Sequence, residues 1–163
     1  MVDIKSAISI EELSVIEQLA FEIWNEHYTP IIGKAQVDYM LDKFQSSTAM
    51  QLQIKEGYKY YSINLQTKPV GYLSYLINED DLFLSKIYIL KTERGKKIGK
   101  QAINFTVNQA QLHNCKTITL TVNKNNLDSI KAYEKLGFNK DSKIVLDIGN
   151  GFVMDDYKMV KQL

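Results

Sequence analysis

The stretch RGKKIGK, Arg94–Lys100, sets four basic side chains around two glycines. It follows the apolar run LFLSKIYIL, Leu82–Leu90, and opens an amphipathic one, IGKQAINFTVNQAQLHN. A strand, a basic glycine-containing turn and a helix N-terminus therefore succeed one another. A helix start leaves backbone N–H groups unpaired and carries about +0.5 of an elementary charge. Glycine lets an anion approach those groups. Lys91, Arg94, Lys96, Lys97 and Lys100 are opposed locally only by Glu93. The combination suits a pyrophosphate, and on this motif alone a solvated basic loop is an equal reading. Neither GxxxxGK[ST] nor GxGxxG occurs here.

Working outward, the chain alternates helical and strand patterns. Val2 to Ala7 reads as a short strand. Ser9 precedes Glu12 at capping-box spacing, and a helix is expected to about Asn25, with Leu13, Ile16, Leu19, Ala20, Ile23 and Trp24 on one face. EHYTPIIG breaks the pattern, and Pro30 disfavours helix at Thr29. A second helix is expected over Lys34 to Phe44, while residues 48–56 are ambiguous. YKYYSINL, VGYLSYLI and LFLSKIYIL form a meander turned at QTKP and NEDD. Both prolines read as turn positions. A helix from Ile98 to about His113, the strand KTITLTV and the helix SIKAYEKLG follow, with Gly137 at its C-cap. Strands around Lys143 to Ile148 and Phe152 to Val160 are joined by GNG, where Asn150-Gly151 is a hairpin signal. This order predicts an α/β (α+β) fold: one mixed sheet with helices on its faces.

The bulk numbers bound the function. The 163 residues fit a single domain, 1–163, and 45% hydrophobic content supports a core. A net charge of +1 gives no global reason for nucleic-acid or membrane partners. The single cysteine, Cys115, excludes an intrachain disulfide and a cysteine-rich metal cluster, and fits a cytoplasmic protein. No metal site is expected. The N-terminus has no uninterrupted apolar stretch of signal-peptide type.

NKNNLDSIKAYEKLGF, Asn123–Phe138, begins at the end of a predicted strand and runs through a helix into the next strand. With RGKKIGK it resembles the GCN5-related N-acetyltransferase (GNAT) superfamily. That family's pyrophosphate loop, [QR]-x-x-G-x-[GA], appears here as Arg94, Gly95, Lys96, Lys97, Ile98 and Gly99. Its second signature, N-x-x-A-x-x-x-Y-x-x-x-G-F, appears as Asn126, Ser129, Tyr133, Gly137 and Phe138. The ending GNGFVMDDYKMVK resembles small bacterial members that acetylate polyamines or a ribosomal protein. Lys97 stands where the family has glycine. A negative φ is expected there, so that the lysine adds charge without strain. Ser129 stands where alanine is usual.

The resemblance implies six to seven mostly antiparallel strands, helices on both faces and a splayed parallel pair at the cofactor cleft. It implies acetyl-CoA as cofactor, released as CoA. The backbone of Ile87, Tyr88 and Ile89 would pair with the pantetheine arm. Arg94, Gly95, Lys96, Lys97, Ile98, Gly99 and Lys100 would hold the pyrophosphate. Asn126 and Ser129 would flank the arm, and Tyr133 would protonate the departing thiolate.

The acceptor would be a small amine, a polyamine or a peptide amine. Trp24, Glu26 and Tyr28 are candidate acceptor-site residues. Glu26 and His27 are candidate catalytic groups, His27 having a reference pKa near 6.5. A capped helix end with a core tryptophan is the competing explanation of that cluster. Many relatives carry an acid on the strand before the basic loop; Ser85 stands near that place. Glu79, Asp80 and Asp81 read as solvated turn residues, His113 as a dipole partner and Cys115 as an incidental thiol. A non-catalytic acyl-CoA-binding module is the alternative function, and a nucleic-acid binder the third. The strand pattern also allows a homodimer.

Overall fold

A computed structural model of the chain describes residues 1–163 throughout. After β1 (Val2–Ser6), helix α1 runs Ile10–His27. The Ser9 hydroxyl accepts from the Glu12 N–H at 3.2 Å, and the Glu12 carboxylate accepts from the Ser9 N–H at 3.0 Å. This reciprocal cap starts the helix where the spacing predicted. The EHYTPIIG break proves to be a change of axis. α2 (Thr29–Ile32) carries Pro30 in its first turn, where the missing N–H costs nothing, and Gly33 at φ 85° leads into α3 (Lys34–Gln45). The ambiguous stretch becomes α4 (Ser47–Lys55), capped by the Ser46 hydroxyl accepting from the Ala49 N–H at 3.1 Å.

The meander is β2 (Lys59–Leu65), β3 (Lys68–Asn78) and β4 (Asp81–Ile89). Gln66 and Thr67 turn the first hairpin at φ 51° and 72°, conformations usually left to asparagine or glycine. Pro69 lies inside β3, opposite Asn64 at a register shift, rather than in the turn. A bulge there spares the ladder the N–H that proline lacks. Then follow α5 (Ile98–Leu112), β5 (Thr117–Asn123), α6 (Leu127–Lys135), β6 (Asn139–Gly149) and β7 (Phe152–Gln162). Asn150 and Gly151, at φ 54° and 78°, make the expected hairpin turn. Gly137, at φ 96°, follows the end of α6.

The seven strands form one sheet in the order β1-β2-β3-β4-β5-β7-β6. Every neighbouring pair is antiparallel except β4 and β5. That parallel pair meets only at Asp81–Thr117, Leu82–Ile118 and Phe83–Thr119. Thr117 and Thr119 donate hydroxyl hydrogen bonds of 2.7 and 2.6 Å to the Asp81 carboxylate. Asp81 is thus drawn into the junction rather than left solvated. Beyond Phe83 the two strands part, opening a gap in the sheet.

Each face carries its own core. On one, Leu82, Leu84, Ile118 and Leu120 pack with Ile98 and Ala102 of α5 and Ile130 of α6. On the other, Tyr60 and Tyr72 pack with Leu13, Ile16 and Trp24 of α1, Val37 of α3 and Met50 of α4. A register shift in β4 leaves Ser85 as the extra residue between Leu84–Tyr75 and Lys86–Ser74. Side-chain parity therefore changes midway along the strand. Phe83 before the bulge and Lys86 and Tyr88 after it reach the same cavity, on the α1 side. Ile87 and Ile89 pack on the α5 side.

Candidate active site

RGKKIGK folds into a turn that leads straight into α5. Arg94 is extended, its Nε donating to the Ile89 carbonyl at 3.3 Å. Gly95 stands at φ 80° with nothing within 4 Å of where a Cβ would sit. Lys97 is the N-cap residue of α5 at φ 63°, ψ 16°, a left-handed conformation. The expected negative φ is therefore corrected. The chain needs a left-handed residue to turn from the loop into α5, and lysine adopts it. No side chain caps α5, so its first N–H groups have no side-chain partner. Lys96 and Lys68 lie 2.7 and 3.8 Å from Glu93, and the Lys96 contact holds that carboxyl below its usual range. Arg94, Lys97 and Lys100 are exposed and make no ion pair within 4 Å.

Beside this cradle runs the outer half of β4. Ile87, Tyr88 and Ile89 pair with Leu73, Tyr72 and Gly71 of β3 on one edge. Their other edge faces the gap, where β5 has already diverged. Open helix N–H groups, free cations and an unpaired strand edge are the chemistry a pyrophosphate and an amide-bearing arm require, so the residues present fit coenzyme A.

On the opposite face of the gap lies a cavity of about 720 Å³. Trp24, Tyr28 and Tyr88 wall it on the α1 side. Tyr28 and Tyr88 share a 3.0 Å hydroxyl contact, and Trp24 meets both rings edge-on at 5.5 Å. Phe83, Ser85 and Lys86 line it from β4, Thr119 and Thr121 from β5, and Met154, Asp156 and Lys158 from β7.

Two titratable groups here are displaced from their ordinary values. Asp156 is 5% exposed, and burial, with Asp155 adding to it, raises its carboxyl to about 6. Burial lowers the Lys86 ammonium to about 7. Lys86 donates to the Tyr60 hydroxyl at 3.2 Å and pairs with no carboxylate.

Tyr133 projects from α6 and packs edge-on against Phe138 at 5.6 Å. Burial pushes its phenol well above the ordinary value, so it stays protonated, and the nearby Tyr28 adds to the effect. Asn126 is buried at the start of α6, and Ser129 is half-buried one turn on.

Trp24, Tyr28, Tyr88, Asn126 and Tyr133 thus gather around the gap. Glu26 and His27 do not line the cavity. Glu26 is exposed and 3.9 Å from Lys91. Burial and the Arg94 guanidinium lower the His27 imidazole, against the opposing pull of Asn126 and Asp128, which puts it on the loop side. His113 is exposed, with Nδ1 2.8 Å from the Gln109 carbonyl. Cys115 is a buried free thiol. Sequence reasoning missed Asp156 and Lys86. Asp156 had one available signal: in VMDDYKM the residues Met154, Asp156 and Lys158 alternate along a strand. Lys86 had none, because the bulge resets its parity.

A family model described as the acetyltransferase (GNAT) family matches residues 18–138. The chain belongs to that family, whose cosubstrate is acetyl-CoA. The structure is similar over 100% of this chain and 99% of the other to a PaiA N-acetyltransferase from Thermoplasma acidophilum in complex with coenzyme A (TM-score 0.85, 19% identity). It is also similar to the ribosomal-protein-S18-alanine N-acetyltransferase from Escherichia coli, over 99% of this chain and 94% of that one (TM-score 0.73, 16% identity). In sequence, a probable spermine N(1)-acetyltransferase from Bacillus subtilis subsp. natto (strain BEST195) is 33% identical over 58 residues. That match spans 35% of this chain and 38% of the relative. No helix is long and apolar enough to cross a membrane.

Proposed function

We propose that the chain is an N-acetyltransferase that moves an acetyl group from acetyl-CoA to a primary amine by direct attack within a ternary complex. One observation carries the reading. A phosphate-suited cradle and a mixed polar and aromatic cavity open on opposite faces of the same gap between β4 and β5. Donor and acceptor can then occupy the site together and meet at the gap.

Acetyl-CoA supplies an electrophilic thioester carbonyl and a thiolate leaving group. Arg94 to Lys100 bind its pyrophosphate, and the free edge of Ile87 to Ile89 orients its arm, with Asn126 beside it. Trp24 and Tyr28 wall the acceptor. Asp156 takes the proton that the acceptor ammonium must lose: a carboxyl near 6 is ionised at neutral pH yet basic enough to accept it. His27 faces Arg94 and the start of α6, so it is the weaker base candidate. Tyr133, held protonated by its burial, donates to the departing thiolate.

The acceptor is a small amine, a polyamine or a peptide amine. The non-catalytic alternative drew on Lys97 and on the missing carboxylate of the strand before the loop; lysine holds the left-handed turn, and Asp156 of β7 offers a carboxylate to the cavity instead. An acceptor screen with acetyl-CoA, reading free thiol release over polyamines, amino acids and N-terminal peptides, tests the reading. Coenzyme A binding without transfer to any amine would sink it. Tyr133→Phe should lower turnover at saturating substrates by about 10²-fold with little change in packing. Unchanged turnover would remove Tyr133 from the chemistry.

A further inference from the structure

Resting on that reading of the cavity as the acceptor site, we infer that the acceptor carries a carboxylate as well as an amine, and that Lys86 binds the carboxylate. Small amino acids are therefore preferred over polyamines.

The inference starts from what holds Lys86. Tyr60, Ser74 and Lys86 stand in cross-strand register on β2, β3 and β4. The Tyr60 hydroxyl accepts from Lys86 at 3.2 Å and from the Gln45 amide at 3.3 Å, and donates to the Gln53 carbonyl. Its capacity is filled, and both glutamines fix its place. The Lys86 ammonium has three donors and spends one on this network. No carboxylate lies within 4 Å of it, and the same holds for Lys158 in the same cavity.

A half-buried amine held in place at the cavity wall without a counter-ion is better satisfied when an anion completes it. Burial alone displaces the Lys86 ammonium to about 7. The acids near the cavity do not supply it. Asp81 is bound by Thr117 and Thr119, Asp156 sits on β7 across the gap, and Glu56 is exposed beyond the end of α4. A ligand with an amine at Asp156 and a carboxylate at Lys86 satisfies both sides. A polyamine instead brings further ammonium groups toward Lys86 and Lys158, and like charges there repel.

The test compares amino acids with their decarboxylated amines, using the full chain and acetyl-CoA: lysine against cadaverine, leucine against isoamylamine, 4-aminobutyrate against propylamine. These pairs vary the span between the groups; the carboxylate also lowers the basicity of a neighbouring amine, so the Lys86 variants, which leave that basicity unchanged, isolate the contact. The expected result is a kcat/KM about tenfold or more higher for the amino acid in at least one pair. Lys86→Met should collapse that ratio toward one, and Lys86→Arg should keep most of it. Coenzyme A titration checks that each variant is folded, and Lys158→Met offers a second route to the same ratio. Transfer to cadaverine or spermine at a kcat/KM equal to or above that of every amino acid tested overturns the inference while acetyl transfer stands. So does a ratio that Lys86→Met leaves intact. Coenzyme A binding with no transfer to any amine takes down both readings.

Discussion

At the scale of the residue, Lys97 and Asp156 each trade stability for the site. Lys97 holds φ 63°, which a side chain with a Cβ adopts at a cost of about 1 kcal/mol. Lys97→Gly should relieve that cost and raise the thermal midpoint. It also removes a cation from the phosphate cradle, so coenzyme A affinity should fall, most clearly at low salt. Melting curves and a coenzyme A titration check both directions. A gain in affinity would mean that strain outweighs charge there.

Asp156 behaves similarly. Its carboxyl sits near 6 in the folded chain against an ordinary 3.8. Between those values the folded state holds a proton that the unfolded chain has released. Its contribution to stability therefore declines as pH rises through that window and stays unfavourable above it. Asp156→Asn should raise the midpoint at neutral pH by a few degrees and lower turnover by about 10²-fold or more. In the unaltered enzyme, kcat/KM should climb as pH rises through about 6. A profile flat across that range would show that Asp156 is not the base.

At the scale of the element, β4 organises the site. Its inner half is tied to β5 through Asp81, its outer half is free, and the bulge at Ser85 turns Lys86 and Tyr88 toward the acceptor cavity. Gly71 on β3 lets the outer half approach closely. A Cβ there would meet the Tyr88 carbonyl at 2.3 Å. Gly71→Ala should cost about 1–3 kcal/mol of stability by forcing the strands apart. It should also weaken coenzyme A binding, because the displaced backbone is the edge that faces the gap. A chemical denaturation series and a coenzyme A titration measure the two effects together. The reciprocal Ser9–Glu12 cap, the Asn150-Gly151 turn and α5 were legible as local signals. The Gln66-Thr67 turn was not, because neither residue advertises a positive φ. The two-helix form of EHYTPIIG was hidden too, since a proline in a first turn looks in sequence like a proline that ends a helix.

At the scale of the molecule, one sheet separates two cores, and the same strands serve both. On β3, Leu73 belongs to one core and Tyr72 to the other; on β2, Ile63 and Tyr60 divide likewise. Neither core can loosen without exposing the strands of the other. We expect the chain to unfold as a single unit, with the calorimetric and van't Hoff enthalpies equal. Two resolved transitions would show that the faces are separate folding units.

Local pattern was enough for the fold class, the basic turn and the second motif, because helix period, strand alternation and glycine placement act over a few residues. Asn126 and Tyr133 became candidates only through the resemblance of the second motif to a known family, and the loop from Arg94 to Lys100 through its glycines and charges. Only the tertiary structure decided that Lys97 is left-handed, that Glu26 and His27 stand outside the cavity, and that Asp156 and Lys86 lie within it. Those outcomes depend on strand register, on one bulged residue and on what lies across the sheet. Burial and pairing between distant segments set the charge state of a side chain, and neighbouring residues in sequence do not reveal either.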